Sequence, residues 1–116
     1  MNWSMSTMTK SEIRRKISKA ENELNAYNES LKKANLLYKS LDDSKKHLNT
    51  AILNMVKYFT FTTTTADGGD LAKVVEKIDS YLTKLTKEII PAINSKINSL
   101  KNEIRRLKND LQYAEE

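Results

Sequence analysis

The sequence has 116 residues, and it contains no cysteine, only two glycines and only one proline. Without cysteine the chain cannot form disulfides, thiolate nucleophiles or cysteine-ligated zinc sites. Because glycine and proline punctuate chains, their scarcity predicts few turns and long secondary-structure elements. No apolar run approaches the roughly 20 residues of a membrane-spanning helix, so we expect no membrane insertion. The composition instead suits water-exposed helices with narrow apolar stripes.

Apolar residues recur in steps of four and three along the first half of the chain. Thr9 at the N-cap and Glu12 three residues later form a capping box, and Met8 and Ile13 can form a hydrophobic staple around it. The series continues as Ile13, Ile17, Ala20, Leu24, Tyr27, Leu31, Ala34, Tyr38, Leu41, Lys45, Leu48, Ile52, Met55, Phe59. Lys45 is its only break. A 3.5-residue period is typical of a coiled-coil seam, so we predict a helix over 9–57 after a flexible tail at 1–8.

Residues 58–69 are predicted to form the loop. Tyr58–Thr65 is aromatic and β-branched, which favours extended backbone over helix. Gly68 and Gly69 follow, and Asp70 suits the N-cap of the next helix, with Asp67 as the alternative. The threonine-rich part can be a flexible connector or a β-like arm with an edge for a partner, and the sequence leaves both open.

The second half repeats the seam pattern and predicts a helix over 70–115. Its seam residues are Leu71, Val75, Ile78, Leu82, Leu85, Ile89, Ile93, Ile97, Leu100, Ile104, Leu107, Leu111 and Ala114. Four-residue steps between Leu85 and Ile97 form a stutter, which coincides with Pro91 and predicts a kink there. Two arms of matched length predict an all-α fold, an antiparallel coiled-coil-like hairpin forming one domain over 9–116. Position i should then face about position 128 − i.

A second set of apolar residues lies off the seam. Its members are Leu36, Leu37, Leu53, Val56, Tyr58, Val74, Tyr81 and Ile90. Single apolar residues scatter on any protein surface and need no function. A two-helix hairpin buries only one narrow seam, however, and these residues form a second, shorter stripe. We therefore predict that they bind a partner, either a larger helical protein or a second copy of the chain.

The sequence gives little support for catalysis, and we predict no catalytic residue, no metal ligand and no cofactor. The single histidine, His47, follows Asp43 by one helical turn, but one histidine and one aspartate are too few for a metal site. Gly68 and Gly69 lack the flanking pattern of a phosphate-binding loop. The basic residues alternate with acidic ones and lack interleaved aromatics, so nucleic-acid binding is disfavoured.

The plan of residues 9–116 resembles the WXG-like helical hairpins of bacterial type VII secretion. It is most similar to the small helical proteins encoded beside LXG toxins. The features that carry the resemblance are two Lys/Asn-rich helices of matched length, the glycine-containing turn Asp67–Asp70 and the pattern IxxLxxxIxxL within Ile97–Leu111. The turn lacks Trp-x-Gly, since the only tryptophan is Trp3, and Tyr113 lacks the acidic residue four positions on that completes the export motif.

This resemblance implies a non-catalytic targeting chaperone or adaptor that pairs with the helical N-terminal domain of an LXG-type toxin. It also implies a cytoplasmic protein that can leave the cell with its partner through type VII secretion. The alternatives are a self-assembling structural coiled coil and a prefoldin-like chaperone subunit. A prefoldin hairpin needs two strand-like segments, and the sequence offers one, at Tyr58–Thr65.

Overall fold

The computed structural model of the protein describes residues 8–58 and 62–114, with side chains for residues 8–55 and 70–114. Helix α1 spans Lys10–Tyr58 and helix α2 spans Thr62–Lys84. A π-helical turn, Leu85–Ile89, leads directly into helix α3, Ile90–Tyr113. No strand occurs within these ranges. The predicted all-α fold with two long helical arms is confirmed.

Helix α1 begins where the capping box predicts. The Thr9 hydroxyl accepts the Glu12 amide at 3.2 Å and donates to the Glu12 carboxylate at 3.3 Å, while the Ile13 amide donates to the Thr9 carbonyl at 3.0 Å. Met8 packs against the cluster that contains Ile13, as a hydrophobic staple should. Met8 therefore belongs to the folded part, although the sequence assigned it to a flexible tail. The rest of that tail, residues 1–7, lies outside the described residues.

The chain divides into two compact units where the sequence predicted one domain. We call Met1–Lys32 with Ala92–Glu116 the terminal unit, and Lys33–Pro91 the central unit. The core of the terminal unit consists of two clusters. One contains Ile13, Ile17 and Leu107, with Leu111 and Ala114 packed against it, and the other contains Ala20, Leu100 and Ile104, with Leu24 and Tyr27. Residue numbers fall along α3 as they rise along α1, so the two arms are antiparallel here.

The pairing register differs from the predicted one by about one helical turn. Ala20 packs against Leu100 and Ile104, whereas the predicted rule placed it opposite position 108. The difference agrees with the ends of the helices, since α1 extends to Tyr58 and α2 already begins at Thr62, whereas the prediction placed a loop over 58–69 between the arms.

The predicted loop over 58–69 is wrong for Tyr58 and for 62–69, which are helical. The β-like arm at Tyr58–Thr65 fails for the same residues, and residues 59–61 lie outside the described part. Neither glycine has a positive φ, and Asp70 lies inside α2 rather than at its N-cap. Threonine costs well under 1 kcal/mol in a helix and glycine about 1 kcal/mol, so these propensities alone cannot end one.

In the central unit, α2 and the π-helical turn supply most of the buried residues. Val75, Ile78, Leu82 and Leu85 are buried, whereas among the described side chains of α1 in this unit only Ala34 is buried. The other apolar seam residues of α1 in this unit are half-buried, except Tyr38, which is exposed. The half-buried ones are Leu41, Leu48, Ile52 and Met55. The arms are joined across the seam by an ion pair between Lys45 Nζ and Asp79 Oδ1, at 2.6 Å.

The irregularity predicted near Pro91 takes the form of the π-helical turn. The Ile90 amide donates to the carbonyl of Leu85, five residues back instead of four. The Thr86 hydroxyl donates to the carbonyls of Leu82 at 3.0 Å and Thr83 at 3.1 Å. The wider turn inserts one residue into the helix just before Pro91, whose ring would clash with the carbonyl four residues earlier in a regular α-helix.

Candidate partner-binding face

The seam fixes a heptad register for both arms. With seam residues at positions a and d, the a residues include Ile17, Lys45, Val75 and Ile104, and the d residues include Ala20. Position g precedes each a residue, and position e follows each d residue. In coiled coils, e and g flank the seam on its two sides. The exposed residues of both units can therefore be assigned to one flank or the other.

The contacts confirm that like flanks of the two arms lie together. On the e side of the terminal unit, Lys108 Nζ and Glu21 Oε2 are 3.8 Å apart, and both residues occupy e positions. On its g side, one shallow groove is lined by Lys16 and Glu23 of α1 together with Glu103 of α3. A second groove is lined by Glu23, Ser30 and Lys96, which are also g residues from both arms.

The described side chains on the g flank of the central unit carry no charge. Its described members are Leu37, Ser44, Ala51, Val74, Tyr81 and Ile89. We call these six residues the g face. Leu37 is 49% exposed, Val74 44%, Tyr81 59% and Ile89 38%, while Ala51 is half-buried. Four large apolar side chains thus remain open to solvent on the flank that is charged in the terminal unit.

The predicted partner-binding residues do not form one stripe. Leu37, Val74 and Tyr81 share the g face. Leu36, 60% exposed, occupies outer position f, and Leu53, 68% exposed, occupies position b on the e side. The remaining three are Ile90, which is half-buried, and Val56 and Tyr58, whose side chains lie outside the described residues. Partner binding by any of these residues stays a prediction.

The π-helical turn explains why Ile89 and Ile90 exchange the places predicted for them. Regular four-residue steps put Ile89 on the seam and Ile90 off it. The inserted residue shifts the phase, so the seam passes from Leu85 to half-buried Ile90 and on to Ile93 and Ile97. Ile89 becomes the g residue that precedes Ile90. Sequence reasoning missed Ile89 and Ala51, although the stutter at Pro91 signalled the change of phase.

Charged residues border the g face on both arms. On α2 the adjoining c positions hold Asp70, Lys77 and Lys84, all exposed, and no ion pair involves either lysine in the described part of the chain. On α1 the adjoining c positions hold Lys33, Ser40, His47 and Asn54. The g face is therefore a strip of apolar and small side chains between rims that carry charges of both signs.

The e flank of the central unit carries ion pairs instead. Lys45 contacts Asp79, an e residue, and Lys46 Nζ lies 3.2 Å from Asp42 Oδ2, another e residue. The hydrogen bond and charge of Asp79, in that order, raise the pKa of the Lys45 amine above 10.5. Lys45, which interrupts the apolar series of the predicted seam, thus forms an ion pair with the other arm. Among the described side chains of this unit, the e flank carries these charges and the g flank carries none.

The described residues give little support for catalysis or metal binding. His47 Nδ1 lies 2.8 Å from the main-chain carbonyl of Asp43, so this contact one helical turn back involves the backbone and not the carboxylate. A shallow groove beside it is lined by Lys46, His47, Thr50, Ala51 and Asn54, all from α1. No group of three or more His, Asp or Glu side chains is placed to hold a metal ion in the regions described.

Comparison with protein-family models, with curated proteins and with solved structures gives no match for this chain. None of the described helices has the length and apolar character required to span a membrane. The fold and the g face are therefore the observations on which a function must rest.

Proposed function

We propose that the protein is a non-catalytic binding partner of another protein. The observation that carries this proposal is the g face, where Leu37, Val74 and Tyr81 stay 44–59% exposed beside the buried seam residues of α2. Large apolar side chains left exposed on one flank are typical of interaction sites in soluble proteins. The shallow, single-helix groove at His47 supports catalysis much less well, because catalytic groups need a sheltered pocket.

The partner we propose is the helical N-terminal domain of an LXG-type toxin, for which the protein serves as a targeting chaperone. The support is the resemblance of the two-arm plan to the small helical proteins of type VII secretion, together with the g face. A third helix laid along a two-helix face is a common mode of recognition between helical proteins. Export together with the toxin is the corresponding proposal for localisation.

Co-expression with the product of the neighbouring long open reading frame tests this function. The tagged partner should retain the protein through affinity and size-exclusion steps, and the two should elute together with one defined stoichiometry. The Leu37→Glu variant should elute separately while its far-UV circular dichroism stays helical, because Leu37 is a half-exposed flank residue.

Two outcomes would count against the proposal. Separate elution of the wild-type proteins would remove the toxin-chaperone function. A homodimer or tetramer by light scattering, with no affinity for the neighbour, would favour the self-assembling coiled coil instead. Loss of helicity in Leu37→Glu would mean that Leu37 belongs to the core rather than to a binding surface.

A further inference from the structure

The heptad register separates charges in the terminal unit that are mixed along the sequence. Position c adjoins g on one side of the seam, and position b adjoins e on the other. The charged residues described at g and c are Glu12, Lys16, Lys19, Glu23, Lys96, Glu103, Arg106 and Asp110, and their charges cancel. The outermost f positions hold Arg15 and Glu29, whose charges also cancel. The excess positive charge of this unit therefore lies on the side of e and b.

We call the e and b positions of the terminal unit the basic flank. Its described members are Ser11, Arg14, Ser18, Glu21, Asn25, Asn28, Lys32, Asn94, Asn98, Lys101, Arg105, Lys108 and Gln112. All of them are exposed, and five basic residues against one glutamate give the flank a net charge of +4. The remaining members are polar and neutral. Glu115 and Glu116 lie outside the described residues and are not counted.

The cations of the basic flank are weakly compensated by their neighbours. Lys108 Nζ of α3 lies 3.8 Å from Glu21 Oε2 of α1, and both side chains are well exposed. An exposed pair at this distance contributes little, so a phosphate can replace the carboxylate at small cost. Arg105 Nη2 donates to Asn102 Oδ1 at 2.9 Å, and this neutral partner leaves the charge of Arg105 in place.

The composition of the basic flank distinguishes between anionic partners. Its described members include no apolar and no aromatic residue. Protein interfaces have an apolar core, and helices that lie on membranes insert apolar side chains. Single-stranded nucleic acid is held by stacking on aromatic rings. The backbone of a duplex needs neither, because lysine and arginine neutralise its phosphates while asparagine, glutamine and serine hydrogen-bond to them.

The length of the basic flank suits a short stretch of B-form duplex. From Arg14 to Lys32 it follows α1 for roughly 27 Å at the helical rise. That distance corresponds to about eight base pairs at roughly 3.4 Å for each pair. Surfaces that recognise an RNA duplex span about 16 base pairs, which is more than this flank covers.

We propose that the basic flank binds the phosphate backbone of double-stranded DNA without sequence preference. Its cations release counterions from the backbone, and its asparagines hydrogen-bond to phosphate oxygens. This activity is additional to the partner binding proposed for the g face. Along the sequence it is hidden, because acidic residues of the g and c positions alternate with the basic residues of the flank.

Fluorescence anisotropy of the full chain with a labelled 20-base-pair DNA of mixed sequence tests the proposal. About four phosphate contacts should give a slope of roughly −3.5 for the logarithm of the association constant against the logarithm of salt concentration. Raising the salt from about 50 mM to about 200 mM should therefore weaken binding roughly 100-fold. Absence of binding at about 50 mM salt would overturn the proposal.

Two double variants of α3 locate the site. Lys101→Gln/Arg105→Gln removes two cations from the basic flank, whereas Lys96→Gln/Arg106→Gln removes two exposed cations from the opposite side of the same helix. The first should bind DNA at least about tenfold more weakly, with a slope reduced to roughly −2, and the second should lose less than about threefold. Circular dichroism checks that both stay helical. Equal losses would mean that net charge alone attracts the DNA, which would overturn the basic flank as its site.

Competitors distinguish DNA from other polyanions. Unlabelled DNA should displace the labelled duplex more effectively than a 20-base-pair RNA, poly-glutamate or vesicles containing phosphatidylserine, each at the same concentration of negative charge. A competitor that matches DNA would overturn the choice of partner. Lys101→Gln/Arg105→Gln should still elute with the neighbouring gene product in the co-expression experiment, so loss of DNA binding and loss of that complex are separate results.

Discussion

The terminal and central units use one seam pattern but cover it to different extents. In the terminal unit α1 buries Ile13, Ile17 and Ala20, whereas Ala34 is its only buried side chain among those described in the central unit. The large apolar residues that are exposed in the described part lie in the central unit, with Tyr113 as the exception. Those in the central unit are Leu36, Leu37, Tyr38, Leu53, Val74, Tyr81 and Ile89.

The flanks account for the difference. In the terminal unit the g positions hold charged side chains such as Lys16, Glu23 and Glu103, which line a groove together with the seam residue Ala20. Long charged side chains of this kind can cover apolar surface with their methylene stems while their charges stay in water. In the central unit the same positions hold Leu37, Val74 and Tyr81. Charged flanks complete a two-helix surface, whereas apolar flanks leave it open to a further helix. Substitutions in each unit test this difference.

The largest effect should come from the tighter core. Leu100 is 2% exposed in the terminal unit, so Leu100→Ala should lower the free energy of unfolding by about 2–5 kcal/mol. Leu48 occupies the seam of the central unit but is only half-buried, so Leu48→Ala should cost about 1 kcal/mol. Urea denaturation followed by circular dichroism measures both. Equal losses would mean that the two units are equally well packed.

The next effect concerns the end of the central unit. A proline inside a regular α-helix costs about 3 kcal/mol, but the π-helical turn already widens the helix before Pro91. Pro91→Ala should therefore stabilise the protein by only about 1 kcal/mol, with Ile89 still exposed and Ile90 still half-buried. Denaturation gives the first value, and a structure of the variant gives the second.

The opposite result would identify the proline as the cause of the turn. A gain near 3 kcal/mol, together with burial of Ile89, would show that proline strain, and not the phase of the seam, inserts the extra residue. The g face would then lose Ile89 whenever Pro91 was replaced.

A smaller effect is expected at the start of the terminal unit. The Thr9 hydroxyl accepts the Glu12 amide at 3.2 Å, so Thr9→Ala leaves that donor without its cap and should cost about 1 kcal/mol. Thr9→Ser keeps the hydroxyl and serves as the control. The difference should appear in amide hydrogen exchange of the first turn, and equal exchange in the two variants would argue against the cap.

Periodicity was sufficient to predict the two arms, the cap at Thr9 and nearly all of the seam. It failed at 62–69, where residues of low helix propensity are helical, because propensity differences below about 1 kcal/mol per residue do not fix a boundary. Leu36, Leu37 and Leu53 were grouped in one stripe because hydropathy ranks them alike. The seam register places them at positions f, g and b, which lie on different sides of the helix.

The smallest effect comes from the Lys45–Asp79 ion pair, which is partly exposed, with side chains 32% and 49% accessible. A polar residue at a single a position specifies register at some cost in stability. Lys45→Leu should therefore raise the thermal midpoint while weakening the fixed register of the arms, and the central unit should then self-associate more readily. A lower midpoint in Lys45→Leu would instead make the pair a net source of stability.

The pH dependence follows from the raised pKa of Lys45. Because its folded pKa lies above 10.5, the hydrogen bond to Asp79 contributes fully below pH 10.5 and is lost as the pH rises through the raised value. Asp79→Asn removes the charge and should return the Lys45 pKa toward 10.5, which an NMR titration of the Lys45 side chain can follow. An unchanged Lys45 titration in Asp79→Asn would mean that the pair does not persist in solution. The e flank of the central unit would then be as open as its g flank, and charge would no longer explain why only one of them suits a partner.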